Sequence, residues 1–187
     1  MDLSIGAELA QTSTEGPGER YAVWVQGCPL RCPGCCNPEL LRFEGGTRTT
    51  PEALLARIQG TEHIEGVSFL GGEPFAQASA LAVVAGGAQK LGLSVLIFSG
   101  FTREELEARE DARALLAVTD VLVDGPYDRD QPDFRRRWIG SRNQRVHFLS
   151  DHYGPHDARF QEANEVELRW SRGTLVINGR PWGPGLP

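Results

Sequence analysis

Four short apolar runs recur along the chain: Tyr21-Ala22-Val23-Trp24-Val25, Val67-Ser68-Phe69-Leu70, Val95-Leu96-Ile97-Phe98 and Val121-Leu122-Val123. They are rich in β-branched and aromatic residues and short enough to be buried strands. Helical segments are predicted between them. One starts at Thr50, with Pro51 at the first helical position, and runs to about Gln59. A second covers about Ala76 to Leu91, where Gly86-Gly87 weakens an otherwise alanine-rich stretch. A third begins at Thr102, where Thr102 and Glu105 fit a capping box, and continues through Leu106 to Leu115-Leu116. Glu105 and Arg109 are spaced there for an i,i+4 pair.

Strands alternating with helices predict βαβ units and a mainly parallel sheet. After Asp124 the pattern changes. Gly125 to Gly140 reads as a long loop, with Arg135-Arg136-Arg137 as a solvated face. Glu165 to Trp170 and Thr174 to Ile177, joined through Arg172-Gly173, read as a terminal hairpin, and Pro181 to Pro187 as a loose tail. No repeat or linker divides the chain, so the expectation is one domain over residues 1–187.

Composition narrows the class. With 40% hydrophobic residues the chain is expected to be globular, and no apolar run approaches the roughly 18–20 residues of a membrane span. Met1 to Ala10 carries Asp2 and Glu8 and no basic cluster, unlike a secretory or transit signal. The expected location is cytoplasmic, with no membrane partner. A net charge of −6 argues against a generic nucleic-acid binder.

In parallel α/β folds, ligands bind beyond the carboxyl ends of the strands. Each predicted strand here runs into chemistry. The first leads into Cys28-Pro29-Leu30-Arg31-Cys32-Pro33-Gly34-Cys35, the second into Gly71-Gly72-Glu73-Pro74, the third into Ser99-Gly100 and the fourth into Asp124-Gly125. Four segments thus point at one rim. Taken singly, the glycine turn could be an ordinary strand-to-loop connection, Ser99 a helix entry and Asp124 a strand-end cap.

The four cysteines all lie between Cys28 and Cys36, too close together to staple distant segments as disulfides do. Three thiolates at C-x3-C-x2-C spacing can wrap one face of a cubane and leave a fourth iron open. Cys36, adjoining Cys35, is a poor fourth ligand and reads as a small hydrophobe or spare thiol. Structural zinc wants four closed ligands, and His63, His147, His152 and His156 stand at no finger-like spacing. From the cysteines alone, an open iron–sulfur site and a non-catalytic zinc module both stand.

Together these motifs resemble the radical S-adenosylmethionine superfamily, and within it the single-cluster activating proteins of anaerobic ribonucleotide reductase. The likeness rests on Gly16-Pro17-Gly18, Gln26-Gly27-Cys28, Cys32-Pro33-Gly34-Cys35, Asn37-Pro38-Glu39, Asp120 to Gly125 and Gly140-Ser141-Arg142-Asn143-Gln144-Arg145, with the Gly71-Gly72-Glu73-Pro74 turn. It spans roughly Gly16 to Leu149, with 150–187 as a C-terminal extension. It implies a partial (β/α) barrel-like sheet, one 4Fe–4S cluster on Cys28, Cys32 and Cys35, and S-adenosylmethionine on the fourth iron. It further implies that Gly71, Gly72 and Glu73 contact the methionine amino group, that Ser99 lies near the ribose, and that Pro74 and Asp124 are also cofactor-binding. Reductive cleavage would give a 5′-deoxyadenosyl radical that takes a hydrogen atom from a glycine of a large partner enzyme. A flavodoxin- or ferredoxin-type protein would supply the electron, and no side chain beyond these ligands is assigned a catalytic role. Cys36 departs from relatives that carry an aromatic residue there, and the hairpin extends beyond the smallest members. A second possible target is therefore a small molecule or peptide, as in the carboxy-deazaguanine synthases.

Overall fold

A computed structural model describes residues 1–171 and 173–179; Arg172 of the predicted turn and the predicted tail at 181–187 lie outside them. The four predicted strands are present as β2 (Arg20–Val25), β4 (Gly66–Gly71), β5 (Ser94–Phe98) and β6 (Val121–Asp124). Three more join them: β1 (Leu3–Thr12), β3 (Thr47–Thr49) and β7 (Arg145–Phe148). Together they make a seven-stranded sheet in the order β3-β1-β2-β4-β5-β6-β7. The central run from β2 to β6 is parallel, while β3, β1 and β7 pair antiparallel at the flanks. The sheet therefore begins well before Gly16, with Leu3 already in the core.

Helices α1 (Pro51–Gln59), α2 (Ala78–Lys90), α3 (Arg103–Ala108) and α4 (Arg113–Leu116) connect the strands. Leu54, Ile58, Leu81, Val84 and Leu115 are fully buried in one cluster with Val67, Phe69, Val95 and Ile97 of the sheet. Each such side chain stabilises the fold by roughly 1.5–3 kcal/mol. Gly86-Gly87 does not interrupt α2. A Cβ on Gly87 would sit 2.3 Å from Leu55 Cδ2, so this glycine allows α1 and α2 to approach closely. The other sheet face packs Leu96 and Val121 against Tyr153, Phe148 and Phe160. Part of the C-terminal extension is thus core.

Two sequence expectations need correction. The third helix is not continuous: Arg109 is extended (φ −94°, ψ 123°), and a 3-10 turn, Glu110–Ala112, separates α3 from α4. Glu105 does close the capping box on Thr102, but it makes no pair with Arg109. The Arg109 guanidinium turns instead to Asp111 (2.7 Å) and the Phe75 carbonyl (3.3 Å), over the Phe101 ring. Nor are the three arginines at 135–137 uniformly solvated. Arg137 is buried, pairs with Glu162 and Glu165, and stacks on Trp138, which fastens the long loop to the C-terminal extension.

The amino ends of the parallel strands converge on Arg20, whose guanidinium is wholly buried. It donates to Ser68 Oγ (2.7 Å), the Val67 carbonyl (2.7 Å), Ser94 Oγ (2.9 Å), the Ser94 carbonyl (3.1 Å), the Pro17 carbonyl (3.1 Å) and Tyr153 Oη (3.3 Å). The predicted hairpin forms as β8 (Val166–Ser171) and β9 (Thr174–Gly179), a separate two-stranded sheet. It docks at this same end through Glu167 on Thr12 Oγ1 and the Gly179 amide on Glu15. Among the described residues, no helix is long and apolar enough to cross a membrane.

Candidate functional site

At the opposite rim, β2 passes straight into the cysteine loop. The amides of Gly27 and Cys28 donate to the carbonyls of Leu40 (2.9 Å) and Leu41 (3.2 Å), which closes the loop at its base. Within it, the Cys35 amide bonds the Cys32 carbonyl (3.1 Å), and Gly34 turns the chain with φ +77°. Cys28 is buried, Cys32 and Cys35 are half-buried, and Cys36 is exposed. Burial pushes the Cys28 thiol up, while the Arg31 and Leu30 amides, directed at its sulfur, pull it back. The Cys36 thiol donates to Cys35; this holds the Cys35 thiol down to about 6, despite its burial, and pushes Cys36 up.

The turn after β4 is stitched to this loop by backbone bonds: Gly72 donates to the Val25 carbonyl and Glu73 to the Gly27 carbonyl, both at 2.8 Å. A Cβ on Gly72 would lie 2.3 Å from the Gly27 carbonyl oxygen, so only glycine permits the approach. Glu73 is fully buried. Its carboxylate accepts from the Phe75 amide (2.9 Å), Ser99 Oγ (2.9 Å) and the Gly100 amide (2.8 Å). Burial outweighs these donors and pushes its carboxyl up to about 7. Gly100 also lies under Leu30 of the cysteine loop, where a Cβ would meet Leu30 Cδ1 at 2.5 Å. Three strand ends are therefore locked into one rim.

Asp124 stands one strand further along, wholly buried. It accepts from the Arg103 amide (2.6 Å) and Arg145 (2.7 Å), with His147 Nε2 at 3.1 Å. Burial opposes its charge, but Arg145, the Arg103 amide and His147 together hold the carboxyl below its ordinary range. The loop beyond it returns over the cysteines: Tyr127 and Arg129 lie 3.4 Å from where a Cβ on Gly34 would stand.

The donor set suits a cubane. Three thiols share one closed loop, with amides aimed at the most buried sulfur, a pattern that tunes iron–sulfur centres. Among the described residues, no three Cys, His, Asp or Glu side chains converge as ligands of a single ion would. A cubane does not need that convergence, because each cysteine takes a different iron.

The sequence matches a family described as a 4Fe-4S single cluster domain over residues 14–147. It is 33% identical to the anaerobic ribonucleoside-triphosphate reductase-activating protein of Salmonella typhimurium, over 72% of this chain and 91% of that protein. The chain belongs to this family of activating proteins. The phage T4 member is 29% identical over 76% of the chain and 92% of its own length. The solved structure of QueE from Escherichia coli overlaps 55% of this chain and 54% of its own, at 25% identity and a TM-score of 0.44. As a member of the activating-protein family, the chain is a radical S-adenosylmethionine enzyme; its cofactors are one 4Fe–4S cluster and S-adenosylmethionine. The zinc module that the cysteines alone left open gives way to the cluster domain.

The structure brings Cys28, Cys32, Cys35, Gly71–Pro74 and Ser99 into one stitched rim and places Asp124 at its flank. Sequence reasoning missed the residues that hold the rim: Leu30 against Gly100, Arg145 and His147 on Asp124, and Gln26 and Gln77 below the loop. Gln26, Leu30 and Arg145 stood inside motifs the sequence marked, but with no role of their own; Gln77 stood in none.

Proposed function

We propose that this enzyme installs a glycyl radical on an anaerobic ribonucleoside-triphosphate reductase, using Cys28, Cys32 and Cys35 as the three protein ligands of its cluster. The observation that carries this reading is the cysteine loop itself, closed at its base and stitched to the glycine turns of β4 and β5. When bound, the cluster and S-adenosylmethionine supply reductive carbon–sulfur cleavage and hydrogen abstraction from a glycine of the partner. The chain's own residues orient and shelter. The backbone of Gly71 and Gly72 would hold the methionine end, and Pro74 opens the 3-10 turn that follows them. Glu73 acts through its hold on Ser99 and Gly100, keeping the ribose side of the rim in place, and Asp124 fixes the next strand end through Arg103 and Arg145. Tyr127 and the stem of Arg129 lie against Gly34 and steady that turn of the loop. The exposed side, at Arg31 and Pro33, faces a flavodoxin- or ferredoxin-type donor.

In this reading residues 1–187 form one domain, and the sheet curves as a partial barrel around the cofactors. The test is anaerobic reconstitution followed by reduction with S-adenosylmethionine and the reductase. The expected result is 5′-deoxyadenosine together with a glycyl doublet in the reductase's electron paramagnetic resonance spectrum. Cleavage without the doublet would overturn the partner, and iron loading unchanged by Cys32→Ala would overturn the ligand assignment.

A further inference from the structure

Gln26 is buried at the foot of the cysteine loop, and its side-chain amide spans the loop's two ends. Nε2 donates to the Arg42 carbonyl (2.7 Å) and the Glu39 carbonyl (3.3 Å), the residues that flank Leu40 and Leu41. The Gln26 backbone cannot drift. Its amide donates to the Ser4 carbonyl (2.9 Å), and its carbonyl accepts from Gln77 Nε2 (3.0 Å). Gln77 in turn pairs with Ser4 in both directions, at 2.8 and 2.9 Å, which ties the turn after Glu73 to β1. Packing leaves no slack: a Cβ on Gly6 would stand 2.3 Å from Leu40 Cδ2 and 3.2 Å from Gln26 Oε1.

We propose that Gln26, braced by Gln77, is a positioning residue for the cluster: it closes the loop base so that the three thiols are set before iron arrives. The proposal rests on the reading of those thiols as the cluster ligands. Both N–H groups of one amide serve two carbonyls across the loop. Leucine would supply neither, and glutamate would set oxygen against oxygen. The strands below are held by their own ladders, so this closure bears on the loop rather than on the core. An open loop must lose its freedom when the cluster binds, and affinity falls accordingly.

The test compares the full-length parent with Gln26→Leu and Gly6→Ala, and with Tyr153→Phe as a control at the opposite rim. Each is reconstituted anaerobically, checked for fold by circular dichroism, and followed for iron loss to a chelator. The reduced cluster's electron paramagnetic resonance spectrum is recorded with and without S-adenosylmethionine. Gln26→Leu is expected to keep its fold, lose iron about tenfold faster than the parent, and show a weakened response to S-adenosylmethionine. Gly6→Ala, which pushes on the same closure without removing a hydrogen-bonding group, should move both readouts in the same direction. Should Gln26→Leu fail to fold, Gly6→Ala decides by those readouts. Parental iron retention and spectra in the folded variants, or losses no greater than in Tyr153→Phe, would overturn the inference alone. A parent that takes up no iron would overturn the cluster reading and this inference with it.

Discussion

At the amino rim of the parallel strands Arg20 is surrounded by neutral acceptors; at the carboxyl rim Glu73 is surrounded by neutral donors. Both charged groups are fully buried, and both tie neighbouring strand ends together. The guanidinium remains charged across the working pH range and uses its donors on the protein itself, so that end is closed and permanent. The carboxyl titrates near neutrality, and the loops around it present half-buried thiols and glycine backbone outward. One rim is built to hold the fold, the other to hold something that is not protein.

The strongest way to break that contrast is at the cysteines. Cys28→Ala, Cys32→Ala or Cys35→Ala should reduce 5′-deoxyadenosine formation to background in an anaerobic assay, while Cys36→Ala should leave it intact. Loss of the cluster in Cys36→Ala would redraw the ligand set. At the other rim, Arg20→Met leaves the Val67, Ser94 and Pro17 carbonyls short of a donor. It should cost about 3 kcal/mol in denaturant unfolding, while whatever protein folds still loads iron normally.

Glu73 sharpens the comparison through pH. Its folded carboxyl lies near 7 against an ordinary 4.5, so the folded state binds the proton more tightly. The stability this proton contributes is complete below pH 4.5 and is lost as pH rises to 7. Relative to Glu73→Gln, the parent should therefore lose up to about 3 kcal/mol across that window and level off above it. A difference that stayed flat with pH would mean that the carboxyl is ionised throughout. Tyr153→Phe, which removes one hydroxyl from the Arg20 cluster, should cost about 1 kcal/mol. Trp170→Ser, on the outward hairpin face where Trp170 is 73% exposed, should change stability by less than about 0.5 kcal/mol.

The parallel strands were legible because burial on both faces writes continuous apolar runs, and the cysteine trio because its spacing is local. β1 was not legible: shifts in register after Ile5 and after Leu9 break the alternation that would have marked it. β7 was hidden by its own chemistry, since Arg145 and His147 serve Asp124 and make the strand look polar. The break at Arg109 and the burial of Arg137 depend on partners such as Phe75 and Glu165, far away in sequence. The same holds for the rim. Its outward groups could be read residue by residue, but the stitching of Gly72 on Val25, Glu73 on Gly27 and Gly100, and Gln26 on Arg42 exists only once the strands are side by side.

The direction of β1 has a practical corollary. Leu3 pairs with Thr49 and Ser4 bonds Gln77, so Met1 emerges beside the cysteine loop, whereas Gly179 of the hairpin sits against Glu15 at the far end. An affinity tag fused ahead of Met1 would crowd the cysteine loop, and a polyhistidine tag there would compete for iron during reconstitution. The hairpin lies at the opposite end of the sheet, against Thr12 and Glu15, so changes to its outward face leave the cysteines untouched.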